Sequence, residues 1–297
     1  MKIQEGRKRF ELSEDVFEKR VDRIFNLLSI NVQKAENPRL IMVGGQAGAG
    51  KTGLVAQKHS ELKEGAIIID QDEIRGAFPE ILYNQIIKEY DDREEYLILK
   101  PFVLKMRQAL IDRAIAKGYN VVMETALQVV DTFIPQIQAF NEAGYKSELA
   151  VISVPEVDCH LSTLNRYSYY LSKDGICRRN TKSDPEMFLK LRSNLEQYGM
   201  MGIFDDIEVY IRGDNEDAPY KKIYSQKEMQ QETPLQAFDR GQKMGLKATK
   251  KTFKERSLKI RDILSKFGEI EKLEQLSRIN MHFENLDDRE GTHEWFL

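Results

Sequence analysis

At 297 residues, with 41% hydrophobic and 31% charged residues, the chain has material for a sizeable core and a soluble surface. A formal charge of −3 excludes a global pull toward nucleic acid or membrane, and no apolar run approaches the roughly 20 residues of a membrane span. Two cysteines, Cys159 and Cys177, argue against a disulfide framework and for a reducing, cytoplasmic compartment; the four histidines show no metal-ligand spacing.

In chain order, Met1 to Arg9 carries basic residues with no apolar core behind them, which is not the pattern of a secretory signal. Residues 13–34 predict a helix. Ser13 can cap it, Glu14 and Asp15 sit in its first turn, and Phe17, Val21, Ile24 and Leu28 share a face. Residues 1–36 therefore form a helical extension, ended by Asn37-Pro38.

Leu40 to Val43 then reads as a buried strand feeding Gly45-Gln46-Ala47-Gly48-Ala49-Gly50-Lys51-Thr52, which fits G-x-x-x-x-G-K-[ST] without a gap. Glycines let the backbone turn tightly, so that N–H groups and the following helix N-terminus face a phosphate chain. Lys51 supplies positive charge to the β- and γ-phosphates of ATP or GTP, and the Thr52 hydroxyl can ligate Mg2+. The bland alternative is a glycine-rich turn between strand and helix.

A helix to about Lys63 and a second strand, Ala66 to Asp70, follow. Strand, helix, strand implies a parallel crossover and a doubly wound sheet, whose ligands lie beyond the carboxyl ends of its strands. Asp70, Asp72 and Glu73 fall there. Pro79 to Lys117 is partly helical, with Asp91 to Glu95 as a solvated helix start and Pro101 kinking or dividing the helix. Strand three is Asn120 to Glu124, and a carboxylate at its end can hold Mg2+ directly or through water. Glu124 as a cap or ion-pair partner is the alternative.

Asp131 to Gly144 is helical, Leu149 to Val154 is a fourth strand, and Pro155 opens the next helix, which carries Arg166. A second basic cluster, Cys177 to Thr181, precedes a helix starting at Asp184-Pro185-Glu186. Two arginine-bearing segments suit a lid over about 160–182 that clamps phosphates; solvated surface charge is the alternative. Asp206 to Ile211 is a fifth strand, and Lys222 to Tyr224 is read as a return strand.

The phosphate-loop core so defined spans 37–234, and a charged helical extension fills 235–297. In that extension Leu246 to Asp262 is basic, while Ile260, Ile263, Leu264, Phe267, Ile270 and Leu273 form an apolar stripe. A nucleic-acid patch is disfavoured because aromatic residues are sparse there. The fold class expected is α/β: a mostly parallel, doubly wound five-stranded sheet flanked by helices, with helical N- and C-terminal extensions.

The loop alone allows a GTPase, a motor or a small-molecule kinase. No Asn-Lys-x-Asp motif and no Asp-x-x-Gly after strand three are present, and Asp72 is placed to act as an acceptor-side base. Gly44 to Thr52, Ile69-Asp70-Gln71-Asp72, Gly118 to Glu124, Gly144-Tyr145, Val154-Pro155, Arg166-Tyr167, Arg179-x-Thr181 and Asp205-Asp206-Ile207 together resemble the zeta toxins, kinases of bacterial toxin–antitoxin pairs, over roughly residues 36–225.

The resemblance implies that Lys51 and Thr52 bind nucleotide phosphate and Mg2+. It makes Asp72 the base toward a sugar hydroxyl, brings Arg166 and Arg179 to the phosphates, and puts Glu124 at the metal side. The implied reaction is phosphorylation of the 3′-hydroxyl of UDP-N-acetylglucosamine, and the implied partner is a proteinaceous antitoxin. Three acceptor-side positions depart from the family pattern: Gln108 stands for a glutamate, Thr125-Ala126 for Gly-Thr, and Gln128 for an arginine. Another UDP-sugar, a nucleoside or NAD is therefore compatible as acceptor. A nucleotide-dependent binding protein is the reading from a different class.

Overall fold

The computed structural model describes residues 2–127, 130–175, 185–213 and 218–286, and for Asp72, Pro185 and Glu186 the backbone alone. The N-terminal helices α1 (Lys2–Arg9) and α2 (Glu14–Leu28) precede β1 (Arg39–Gly44), α3 (Lys51–Ser60) and β2 (Ile67–Ile69). Helices α4 (Gln71–Gly76), α5 (Glu80–Glu89) and α6 (Asp92–Lys117) lead to β3 (Val121–Thr125). Next come α7 (Val130–Glu142), β4 (Lys146–Ile152), α8 (Glu156–Asp174) and α9 (Pro185–Met201). The chain continues through β5 (Asp206–Ile211), β6 (Lys221–Ser225), α10 (Pro234–Lys266) and α11 (Ile270–Asn285).

The strands order as β2-β3-β1-β4-β5-β6. Pairs β2/β3 and β4/β5 are parallel, as strand–helix–strand connections require, and β6 is antiparallel to β5. The sheet has six strands where five were expected, because the return segment pairs with Glu208 to Ile211 of β5 across an irregularity at Val209/Tyr210.

The chain divides into two compact units. The first holds residues up to Met42, Lys58–Glu124 and Pro135–Ser147. Its organiser is α6, against which α1, α2, α4, α5 and β2 pack. Asp91 starts α6 with a capping box: its carboxylate accepts from the N–H groups of Arg93 and Glu94, while the Glu94 side chain accepts from the Asp91 N–H. Gly118, at φ 66°, ends it.

Pro101 lies inside α6 without dividing the helix. Proline removes the N–H that Leu97 O would accept. Arg7 Nε of α1 donates to that carbonyl at 2.9 Å instead. Phe10, Phe78, Ile86, Ile98 and Leu99 form the buried cluster around this junction.

The second unit holds Val43–Gln57, Thr125–Ile134 and the chain from Glu148 on. Here α10, capped by Thr233 and Gln236, packs on β5, β6, α8 and α9. Its glycines permit close approach: a Cβ on Gly241 would lie 2.6 Å from Ser153 Oγ, and one on Gly245 2.7 Å from Pro155 Cδ. The predicted apolar stripe does not run along one helix. Gly268, at φ 71°, turns the chain, so that Ile260 and Leu264 of α10 meet Leu276, Ile279 and Phe283 of α11 over α8. The Phe253 and Phe283 rings stack with centroids 3.7 Å apart.

Candidate functional site

Strand β1 is buried along Leu40 to Gly44 and delivers the chain to the glycine loop. Two local backbone hydrogen bonds shape it: Ala49 N–H to Gln46 O at 3.1 Å and Gly53 N–H to Gly50 O at 3.1 Å. Gly48 and Gly50 have φ of 82° and 94°, where a side chain is disfavoured. A Cβ on Gly48 would also stand 2.2 Å from Cys159 O. Lys51 is the first residue of α3, and its ammonium donates to Gln46 O at 3.2 Å, arched back over the loop. Thr52 follows, with an exposed side chain.

The loop carbonyls have partners in the same unit. Arg212 Nη2 donates to Gly48 O at 2.6 Å and Arg212 Nε to Ala49 O at 3.3 Å. Tyr220 Oη donates to Gly50 O at 2.7 Å, and Tyr220 is itself held by Gln57, whose Oε1 accepts from its N–H at 2.7 Å. In a trans peptide the N–H points opposite to the C=O. Drawing Ala49 O and Gly50 O toward Arg212 and Tyr220 therefore turns the N–H groups of Gly50 and Lys51 to the other side. With the start of α3 behind them, this is an arrangement that suits a phosphate chain.

Beside the loop, a small recess is lined by Gln46, Ala47, Glu156, Cys159, His160 and Phe188. Burial pushes the Cys159 thiol up to about 12, although the Arg212 cation and a hydrogen bond with Gln46 pull the other way. Cys159 is therefore a packing residue and not a nucleophile. His160 Nε2 lies 3.2 Å from Glu156 Oε1.

Arg166 is exposed on α8. The expected lid is described up to residue 175, nearly all of it as part of α8, while Arg179 and Thr181, like Gln128, lie outside the described residues. Thr125 ends β3 with only 4% of its surface exposed, and its Oγ1 accepts from Leu127 N–H at 3.0 Å. Leu127 holds φ 53°, an unusual value for a branched residue. Its carbonyl accepts from Asn194 Nδ2 at 2.6 Å, and its side chain covers Gly44.

In the first unit, Asp70 O accepts from Ile74 N–H at 3.0 Å, so α4 begins directly where β2 ends. Asp72 is the second residue of α4. Glu124 is the fourth residue of β3 and is half-buried. Gln108 is committed at both ends of its amide: Nε2 donates to Asp112 at 2.8 Å and Oε1 accepts from Gln136 Nε2 at 3.3 Å. Among the described residues no cluster of three or more His, Cys, Asp or Glu side chains could hold a metal. A Mg2+ that takes most of its ligands from phosphate and water needs no such cluster, and the Thr52 hydroxyl fits that role.

Sequence reasoning passed over Arg212 and Tyr220. The available signal for Arg212 was a basic residue directly after a parallel strand, Ile211-Arg212-Gly213, in a chain with a phosphate loop. Tyr220 offered none.

A sequence model of the family described as zeta toxin matches residues 21–225. The protein named Toxin zeta from Streptococcus agalactiae is 28% identical over 232 residues, covering 77% of this chain and 78% of that one. Toxin PezT from Streptococcus pneumoniae is 29% identical over 205 residues, covering 68% and 79%. A solved structure from the PezAT chromosomal toxin–antitoxin system of Streptococcus pneumoniae superposes with a TM-score of 0.70 at 25% identity, over 83% of this chain and 97% of that one.

Proposed function

The chain belongs to the zeta toxin family, and from that premise we propose that it is a phosphotransferase passing the γ-phosphoryl of ATP or GTP to a hydroxyl of a nucleotide sugar, foremost the 3′-hydroxyl of UDP-N-acetylglucosamine. The observation that carries the reading is the glycine loop, with Gly48 and Gly50 at positive φ and Lys51-Thr52 opening α3.

In this reading Asp72 accepts the proton of the sugar hydroxyl as its oxygen bonds to the γ-phosphorus, and the bond to the bridging oxygen breaks to release the nucleoside diphosphate. Lys51 leaves the Gln46 carbonyl for the β- and γ-phosphates, and Arg166 and Arg179 take up charge on the transferring group. Mg2+, held by Thr52 with Glu124 on its side of the site, would supply charge neutralisation. Phosphorylated UDP-N-acetylglucosamine would then starve cell-wall precursor synthesis, and a separate protein antitoxin would hold the enzyme in check. No helix among the described residues is long and apolar enough to cross a membrane.

Gln108 favours a second acceptor as an alternative. A neutral amide already engaged by Asp112 and Gln136 offers a sugar less than a carboxylate would, so another UDP-sugar, a nucleoside or NAD fits as well.

The test is a mass-spectrometric assay of the purified protein with ATP or GTP, Mg2+ and a panel of those acceptors. One added phosphate on UDP-N-acetylglucosamine is the expected result, and a phosphate on another acceptor moves the specificity. Asp72→Asn should keep nucleotide binding and lose about 10²–10⁴-fold in turnover. Wild-type turnover by that variant would remove Asp72 as the base.

A further inference from the structure

The glycine loop is tied to helix α10 through one buried carboxylate. Asp158, in the first turn of α8, is 5% exposed. Its Oδ2 accepts from Arg212 Nη1 at 2.7 Å, and its Oδ1 accepts from Arg256 Nη1 of α10. Arg256 Nη2 also donates to Ser162 Oγ at 2.8 Å, which fixes the guanidinium plane. The remaining nitrogens of Arg212 hold Gly48 O and Ala49 O.

A guanidinium is a rigid fork, so the orientation of Arg212 toward the loop is set by where Asp158 holds its other arm. A buried carboxylate shared by two arginines is also sensitive to losing either one, because one of its oxygens is then left without its charged donor away from water. We propose that Arg256 is a positioning residue of the phosphate loop, acting through Asp158 and Arg212, so that α10 is part of the nucleotide site. Arg256 lies beyond residue 225, where the family match ends. The proposal rests on the loop's being a nucleotide site, and the close seating of Gly241 and Gly245 gives α10 the fixed position it needs.

The experiment measures the affinity of the full chain for a fluorescent N-methylanthraniloyl-ATP, alongside thermal melts and KM for nucleotide and acceptor. Arg256→Ala should weaken the analogue about tenfold and raise the nucleotide KM with little change in the acceptor KM. Arg256→Lys should recover part of the loss. In an Arg212→Ala background, Arg256→Ala should add almost nothing, since its route to the loop is already cut.

Undiminished affinity in folded Arg256→Ala, or losses that add in the double variant, would overturn the relay. Arg256→Gln carries the same cycle if the alanine variant does not fold. A wild-type chain that fails to bind the analogue would instead remove the nucleotide reading, a different result from a bound analogue indifferent to Arg256.

Discussion

At the scale of single residues, Gly48 bears the sharpest constraint in the loop. Its φ of 82° disfavours any side chain, and the carbonyl of Cys159 occupies the space a Cβ would need. Gly48→Ala should therefore destabilise the protein by at least about 1–3 kcal/mol from backbone conformation alone. The clash falls on backbone and adds to this. Chemical denaturation and analogue binding should both report the loss; a variant with wild-type stability would mean that the loop adopts another path.

The loop residues were legible because their chemistry is contiguous: spacing along the chain is spacing in space. Arg212 and Tyr220 reach the same loop from more than 160 positions away, by folding that no local pattern encodes. Asp72 and Glu124 were placed by a strand-end rule; Asp72 lies in α4 just after β2, and Glu124 is the last residue but one of β3.

At the scale of elements, α1 and α6 act as a pair. Proline at position 101 leaves Leu97 O without its helical donor, and the α1 side chain Arg7 replaces that donor. Arg7→Ala should cost about 0.5–1.5 kcal/mol of stability, the usual net worth of such a hydrogen bond. In a Pro101→Ala background, where the residue-101 N–H returns, the same substitution should cost clearly less. Urea denaturation of the four proteins measures the coupling, and equal costs in both backgrounds would show that Arg7 does not serve the carbonyl.

Helix α1 itself was not legible. Lys2–Arg9 has no apolar periodicity, and it is held by contacts with distant residues, Lys2 with Glu94 and Arg9 with Glu89. Helix α2 was legible because Phe17, Val21, Ile24 and Leu28 share a face; Phe17 and Val21 are buried together with Phe25, while Ile24 and Leu28 are half-buried. The C-terminal stripe was read as one helix for the same reason. A pattern with helical spacing continues through Phe267 and Ile270, while a single glycine with positive φ decides that the chain reverses.

At the scale of the whole molecule, the question is whether a phosphate-loop fold of this family acts as a toxin in the cell or as a kinase of ordinary metabolism. The two readings share every residue of the loop, so no geometry within it separates them; the consequence for a host does. Controlled expression in a bacterial host should arrest growth with the wild-type chain and not with Lys51→Ala, which removes the cation proposed to serve the phosphates while leaving the exposed start of α3 otherwise intact. Arrest by both chains would assign the effect to something other than phosphoryl transfer, since the variant lacks its central charge. Arrest by neither, from a protein that phosphorylates an acceptor in the purified assay, would make it a kinase without a toxin role. Arrest by the wild type alone, relieved by a co-expressed antitoxin, would join the chemistry of the loop to the family's biology.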